Sequence, residues 1–172
     1  MEQEKIFTVS IYTENNVGLL NRVSSIFLKR HINIESLTTS RSEIEDVNRF
    51  IIVAKMSETQ VKKIVTQLEK QIEVIRAYYH TDEETVFQES ALFKISTEHL
   101  YDEVIQRKLK FRQANIVTIT EDFFVIEASG SKDHVDKLYD RLKPYGLMQF
   151  VRSGRIAITR EKMAISELLQ EL

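Results

Sequence analysis

The stretch Thr13–Phe27, TENNVGLLNRVSSIF, closes one kind of periodicity and opens another. Before it, IFTVSIY (6–12) places Phe7, Val9 and Ile11 on one face, the period-two pattern of a half-buried strand. After it, Leu19, Leu20, Val23, Ile26 and Phe27 recur at helical spacing and predict a helix over about 18–30. Asn15, Asn16 and Gly18 stand at the junction, on a chain with only four glycines. A strand running so directly into a helix reads as the opening of a βαβ unit.

The flanking sequence extends that unit. NIESLTTS (33–40) and RFIIVAK (49–55) read as two further strands separated by the polar loop Arg41–Asn48. Ser57 followed by Gln60 has the capping-box spacing and predicts a second helix, striped by Val61, Ile64, Val65, Leu68 and Ile72. VIRAYY (74–79) closes a βαββαβ order. The polar run HTDEETVFQE (80–89) is the expected linker, so that residues 1–80 form one domain, 81–90 the connection and 91–172 a second domain.

Beyond the linker the order repeats. ALFKIS (91–96) is followed by a helix over about 98–112 carrying Leu100, Val104, Ile105 and Leu109, then by NIVTIT (115–120) and FFVIEAS (123–129). A helix from about Ser131 to Pro144 carries Val135, Leu138, Tyr139 and Leu142, and LMQFVRS (147–153) completes the second unit. GRIAITR (154–160) reads as an extra strand, and Met163–Leu172 as a short amphipathic helix with Ile165, Leu168, Leu169 and Leu172 on one stripe. That stripe either docks on the second domain or meets a partner. The predicted fold class is α+β: two ferredoxin-like domains, each an antiparallel sheet with two helices on one face. Domains of about 80 residues are marginal alone and expose sheet edges, which predicts self-association.

Composition narrows the function. With 42% hydrophobic and 29% charged residues the chain is an ordinary folded one. A net charge of −2 with scattered basic residues gives no footprint for nucleic acid. There is no cysteine, hence no disulfide, thiolate metal site or cysteine nucleophile. The acidic start MEQEKIFTVS predicts no signal peptide, and no apolar run approaches the roughly 20 residues of a membrane span. The expectation is a cytoplasmic protein.

Chemistry is sparse. His31, His80, His99 and His134 lie far apart in sequence without metal-ligand spacing. No nucleophile elbow, phosphate loop or dinucleotide fingerprint occurs. Asp82, Glu83 and Glu84 fit a solvated hinge, and the pairs Tyr78–Tyr79 and Phe123–Phe124 fit packing. No catalytic residue, metal or cofactor is expected in this chain.

The junction is the exception. The first N–H groups of a helix lack internal partners and carry the positive end of its dipole, so an anion can settle there if the chain lets it approach. Gly18 removes a side chain at that point, Asn15 or Asn16 can add an amide, and Leu19 and Leu20 can add an apolar wall. Such a site suits an aliphatic amino acid. The plainer alternative is that an asparagine caps the helix and Gly18 relieves a tight turn. Residue chemistry alone leaves both open.

ENNVGLLNRVSSIFLKRHINIESLTTS resembles the opening of the ACT domain in the small, regulatory subunits of acetolactate synthase (acetohydroxyacid synthase). That family has Asn-x-x-Gly-x-Leu-x-Arg-Val before the helix and Asn-Ile-Glu-Ser-Leu at the second strand, matched by Asn15, Gly18, Leu20, Arg22, Val23 and by Asn33–Leu37. FRQANIVTIT, FFVIEASGS and FVRSGRIAITR are similar to its second domain, so the likeness covers about 6–160. It implies a non-catalytic subunit that raises the activity of a large catalytic subunit and confers feedback inhibition by valine. Thiamine diphosphate, magnesium and FAD would belong to that partner. It also implies a homodimer through the ACT domains, with valine at their interface. Asn15, Val17 and Gly18 would form the loop at the ligand's charged ends, Asn33 would close the site from the partner domain, and Leu19, Leu20 and Ile34 would wall its side chain. The alternative is a free-standing ACT-domain sensor of amino acids that regulates another protein. Two positions depart from the family: His31-Ile32 stands where a glycine is usual, and Asn16-Val17 where Glu and Pro or Ser are common. His31 must therefore take left-handed backbone, or the turn is built differently.

Overall fold

The computed structural model describes residues 3–110 and 114–170. The chain forms two compact units, Met1–Val86 with Arg155–Leu172, and Phe87–Gly154. Both are α+β units of the expected ferredoxin-like kind. The segment from 155 onward, which the sequence reading attaches to the second domain, groups with the first unit.

In the first unit, β1 (Lys5–Glu14), α1 (Leu19–Leu28), β2 (Ile34–Arg41), β3 (Val47–Met56), α2 (Glu58–Leu68) and β4 (Val74–Thr81) follow in order. The antiparallel sheet runs β2-β3-β1-β4, so β1 and β3 are central and β2 and β4 are edges. Phe7, Val9 and Ile11 of β1 and Phe50, Ile52 and Ala54 of β3 meet Leu19, Val23 and Phe27 of α1 and Val61, Ile64 and Leu68 of α2 in one core. The predicted stripes build it, with two corrections. Leu20 of the first stripe is 45% exposed and stays outside this core. Ile72 lies beyond the end of α2 and is 95% exposed. The capping box is formed in full: Gln60 N–H donates to Ser57 Oγ (3.3 Å), and Ser57 N–H donates to Gln60 Oε1 (2.8 Å).

The half-buried reading of β1 needs correcting as well. Thr8, Ser10 and Tyr12, on the face away from the helices, are buried too, and Thr8 is only 1% exposed. Part of the reason is Arg155, itself 6% exposed. Its Nη1 donates to Thr8 Oγ1 (3.0 Å) and Asp82 Oδ1 (2.5 Å), and its backbone N–H donates to Ser36 Oγ (2.8 Å). β9 (Ile156–Thr159) follows directly, and Arg160 N–H donates to the Glu84 carbonyl (2.8 Å). One guanidinium thus ties the returning chain to β1 and to the turn after β4. Charge-assisted bonds in so dry a place are worth more than exposed pairs.

The expected linker at 81–90 is not a loop. Asp82–Glu84 form a 3-10 turn in which Glu84 Oε2 accepts from Thr81 N–H (2.7 Å), and β5 (Thr85–Ser96) starts at once. Its alternation, Thr85 and Glu89 buried between more exposed neighbours, is carried by polar side chains. A reading by polarity alone therefore missed a strand.

The second unit contains β5 from Phe87, α3 (Glu103–Lys110), β6 (Asn115–Ile119), β7 (Phe123–Gly130), α4 (Lys132–Leu142) and β8 (Leu147–Arg152), with sheet order β6-β7-β5-β8. Phe93, Ile95, Phe124 and Ile126 pack with Ile105, Val135, Leu138 and Leu142. The helix expected over 98–112 is interrupted. Thr97–His99 make a 3-10 turn, His99 Nδ1 meets Asp102 Oδ2 (2.6 Å), and α3 begins after Asp102; residues 111–113 lie outside the described residues. The tail helix is α5 (Ile165–Gln170), and residues 171–172 of the expected stripe also lie outside them.

Because α2 depends on its cap and on buried aliphatics, Ser57→Ala is expected to cost about 1 kcal/mol and Ile64→Ala about 2–5 kcal/mol. Urea unfolding of the first unit checks both, as midpoint shifts at unchanged slope.

Candidate functional site

Gly18 occupies the N-cap of α1 with φ 84° and ψ −1°, the left-handed region. No side chain caps the helix, and its first turn carries no acidic residue. The asparagines are engaged elsewhere. Asn15 Oδ1 accepts from Asn48 Nδ2 (2.8 Å), while Asn16 Nδ2 donates to Glu14 Oε2 (2.9 Å). The capping role offered by the plainer sequence reading is therefore not taken. A helix tip with free N–H groups and no side-chain oxygen over it keeps its positive potential for something from outside.

Around this tip the apolar residues divide. Leu19 turns into the core, whereas Leu20 is 45% exposed and Val17 fully exposed at 100%. Leu28 is exposed as well. Leu20 and Leu28 are eight residues apart on α1, two turns along one side of the helix. Arg22 Nη1, just inside the helix, pairs with Glu73 Oε1 and ties α1 to the turn before β4. Asn15 also borders a cleft of about 360 Å³ against the β2–β3 hairpin, Arg41 to Asn48. Asn48 was missed in the sequence, where it belongs to a featureless polar loop. Only the register, pairing Thr13 with Asn48, places it beside Asn15.

Asn33 and Ile34 lie elsewhere. Asn33 is exposed just before β2, and Ile34 is half-buried against the first core. Ile34 pairs with Ala54, whereas Glu14 pairs with Val47. From Val47 to Ala54 is seven steps of one strand, roughly 23 Å at about 3.3 Å per residue. Within one chain, then, the two halves of the expected site sit at opposite ends of the sheet. His31, beside Asn33, has φ 53°. His31 thus takes the left-handed turn and accepts its strain, since a non-glycine residue there is disfavoured.

No group of three or more His, Asp or Glu able to hold a metal occurs among the described residues, and no helix among them is long and apolar enough to cross a membrane.

Two family models match the chain. One, described as the small subunit of acetolactate synthase, matches residues 88–161; the other, an AHAS small subunit-like ACT domain, matches residues 9–76. The acetolactate synthase small subunit of Bacillus subtilis is 32% identical over 91% of this chain and 91% of its own length. The probable small subunit of Archaeoglobus fulgidus is 34% identical over 89% and 96%. The crystal structure of the Thermotoga maritima small subunit superimposes with a TM-score of 0.82 at 25% identity, covering 92% of this chain and 99% of that one.

A Cβ added at Gly18 would meet nothing within 4 Å, so any penalty there is conformational. Gly18→Ala is expected to destabilise the first unit by about 1–2 kcal/mol and Gly18→Asn by less, because asparagine tolerates the left-handed region. Chemical denaturation of the two variants beside the parent tests the order.

Proposed function

The chain belongs to the acetolactate synthase small-subunit family, and on that premise we propose that it is the regulatory subunit, activating a large catalytic subunit and withdrawing that activation when valine binds. Its first domain, 1–80, is the effector-binding one, and the chain holds no cofactor itself. Thiamine diphosphate, magnesium and FAD belong to the catalytic partner. The site is made of Asn15, Val17, Gly18, Leu19 and Leu20 from one copy, with Asn33 and Ile34 from a second.

The observation that carries this reading is the separation of the two halves. A site built from both ends of one sheet requires a second copy, and the free edge strand suits one. If β2 pairs antiparallel with β2 of another copy about a two-fold axis near its middle, Ile34 of one faces Arg41 of the other. Arg41 already pairs with Asn48, the residue bonded to Asn15. Asn33 of one copy would then approach the Gly18 tip of the other, and Leu20 and Leu28 of α1 are exposed. Isologous contacts of this kind give two equivalent sites per dimer. Valine's carboxylate would take the α1 N–H groups, its ammonium the asparagine oxygens, and its short side chain the exposed Leu20. Pocket size alone discriminates weakly, by about 1–3 kcal/mol per methylene, so leucine and isoleucine are natural competitors.

Regulation follows from linkage. Valine shifts the complex only by its difference in affinity for two arrangements, on the scale of about 1–3 kcal/mol. A ligand that bridges two copies has that difference built in, because its contacts depend on how the copies are set. In the second unit, Leu92 and Val151 are register partners and both exposed, as are Met148 and Val117. These exposed apolar side chains support a partner on that unit.

Asn15→Ala and Asn33→Ala are each expected to leave activation of the catalytic subunit intact and abolish valine inhibition. Mixed dimers of the two variants should recover inhibition in part, since one of their two sites keeps both asparagines. Enzyme assays across mixing ratios read this. Inhibition unchanged in either single variant, or no recovery on mixing, would remove the shared-site assignment.

A further inference from the structure

A second cleft, of about 530 Å³, lies on the opposite face of the same sheet, between the strands and the returning segment 157–165. Its floor is Tyr12, Arg49 and Tyr78. Tyr12 and Arg49 are direct cross-strand partners, and the Tyr12 and Tyr78 rings stack with centroids 6.2 Å apart. The opposing wall includes Ile158, Met163 and Ala164. Glu43, Glu161 and Lys162 stand at its rim, all exposed and therefore screened.

Three properties of this floor belong together. Arg49 is half-buried, yet among the described residues it forms no salt bridge. Burial, reinforced by the neighbouring Tyr12, pushes the Tyr78 phenol well above its usual range, so it stays a neutral hydroxyl at physiological pH. The Arg49 charge pulls in the other direction, more weakly. A half-buried guanidinium without a carboxylate is a site for an anion, and guanidinium binds carboxylates with two parallel bonds. The stacked phenols and the aliphatic wall exclude a strongly hydrated anion and favour one with an apolar body.

We propose that this cleft binds a small monocarboxylate with a compact apolar body, at a site separate from the Gly18 tip and complete within one chain. The carboxylate pairs with Arg49, and the body lies on the Tyr12–Tyr78 stack beneath Ile158 and Met163. Arg155 sets the cleft's depth, because it anchors the returning segment to Thr8 and Asp82 immediately before β9. Unlike the shared site, this one needs no second copy.

Of the six tyrosines, Tyr12 and Tyr78 lie on the floor, so their assigned ring signals report on it and the other four serve as controls. The probe is 3-methylbutanoate, titrated into the full chain by calorimetry and followed by NMR of labelled tyrosine rings. Saturable one-to-one binding that moves the Tyr12 and Tyr78 signals is expected. Arg49→Gln should weaken it roughly tenfold or more, the loss of a charge-assisted pair, without changing the melting temperature. Asn33→Ala, at a residue outside both the hairpin and the cleft, should leave it unchanged while abolishing the response to valine, which separates this site from the shared one. 3-Methylbutylammonium, of the same shape and opposite charge, should not bind. No saturable binding, equal binding by Arg49→Gln, equal binding of the ammonium analogue, or loss in Asn33→Ala would each overturn the proposal.

Discussion

Strand β1 is held between β3 and β4 and buried on both faces, and its continuous register with β3 from Lys5–Met56 to Glu14–Val47 governs where everything else can be. Ten residues of unbroken pairing set the span between the two ends of the sheet. At one end β1 releases the chain into the Gly18 turn; at the other lies the start of β2 with Asn33. Nothing in the core can shorten that span without breaking the ladder. In the proposed dimer, the second copy that unites the two ends would be called for by strand length alone.

Burial on both faces is unusual for an antiparallel sheet with helices on one side only, where the other face commonly meets water. Here the second face is neither fully polar nor fully apolar. Thr8 and Ser10 alternate with Ile51 and Val53 on neighbouring strands, and all four are buried. Buried hydroxyls need partners, and Thr8 has the Arg155 guanidinium. That requirement makes the returning segment part of the first unit, although it follows the second in sequence.

These facts explain which features were legible in the chain. The helix-facing core was, because Phe7, Val9 and Ile11 alternate cleanly and Val61, Ile64 and Leu68 repeat at helical spacing. Gly18 was legible as a turn, since a glycine between a strand and a helix has few other uses. The polar strand Thr85–Ser90 was not, because its inward residues are Thr85 and Glu89, whose burial depends on tertiary partners. Arg155 was equally hidden. Nothing local in SGRIA distinguishes a buried anchor from a surface arginine, and its partners Thr8, Ser36 and Asp82 are more than 70 positions away. Asn48 became visible only when the hairpin register was known.

The hairpin between β2 and β3 joins the two faces of the sheet. Asn48 holds Asn15 near the helix tip, the next residue, Arg49, forms part of the cleft on the other face, and Glu43 borders both clefts. Asp46, with φ 59°, bends this hairpin through a left-handed position that a non-glycine residue adopts at a cost. Such strain is released by modest rearrangement, so the hairpin is the element whose setting each face can bias. A ligand at either face that prefers one setting must change affinity at the other by the same factor, since coupling free energy is shared. One copy's hairpin would also lie against its neighbour's β2 in the proposed dimer. In that arrangement the same few residues would connect the proposed site within a chain to the proposed site between chains.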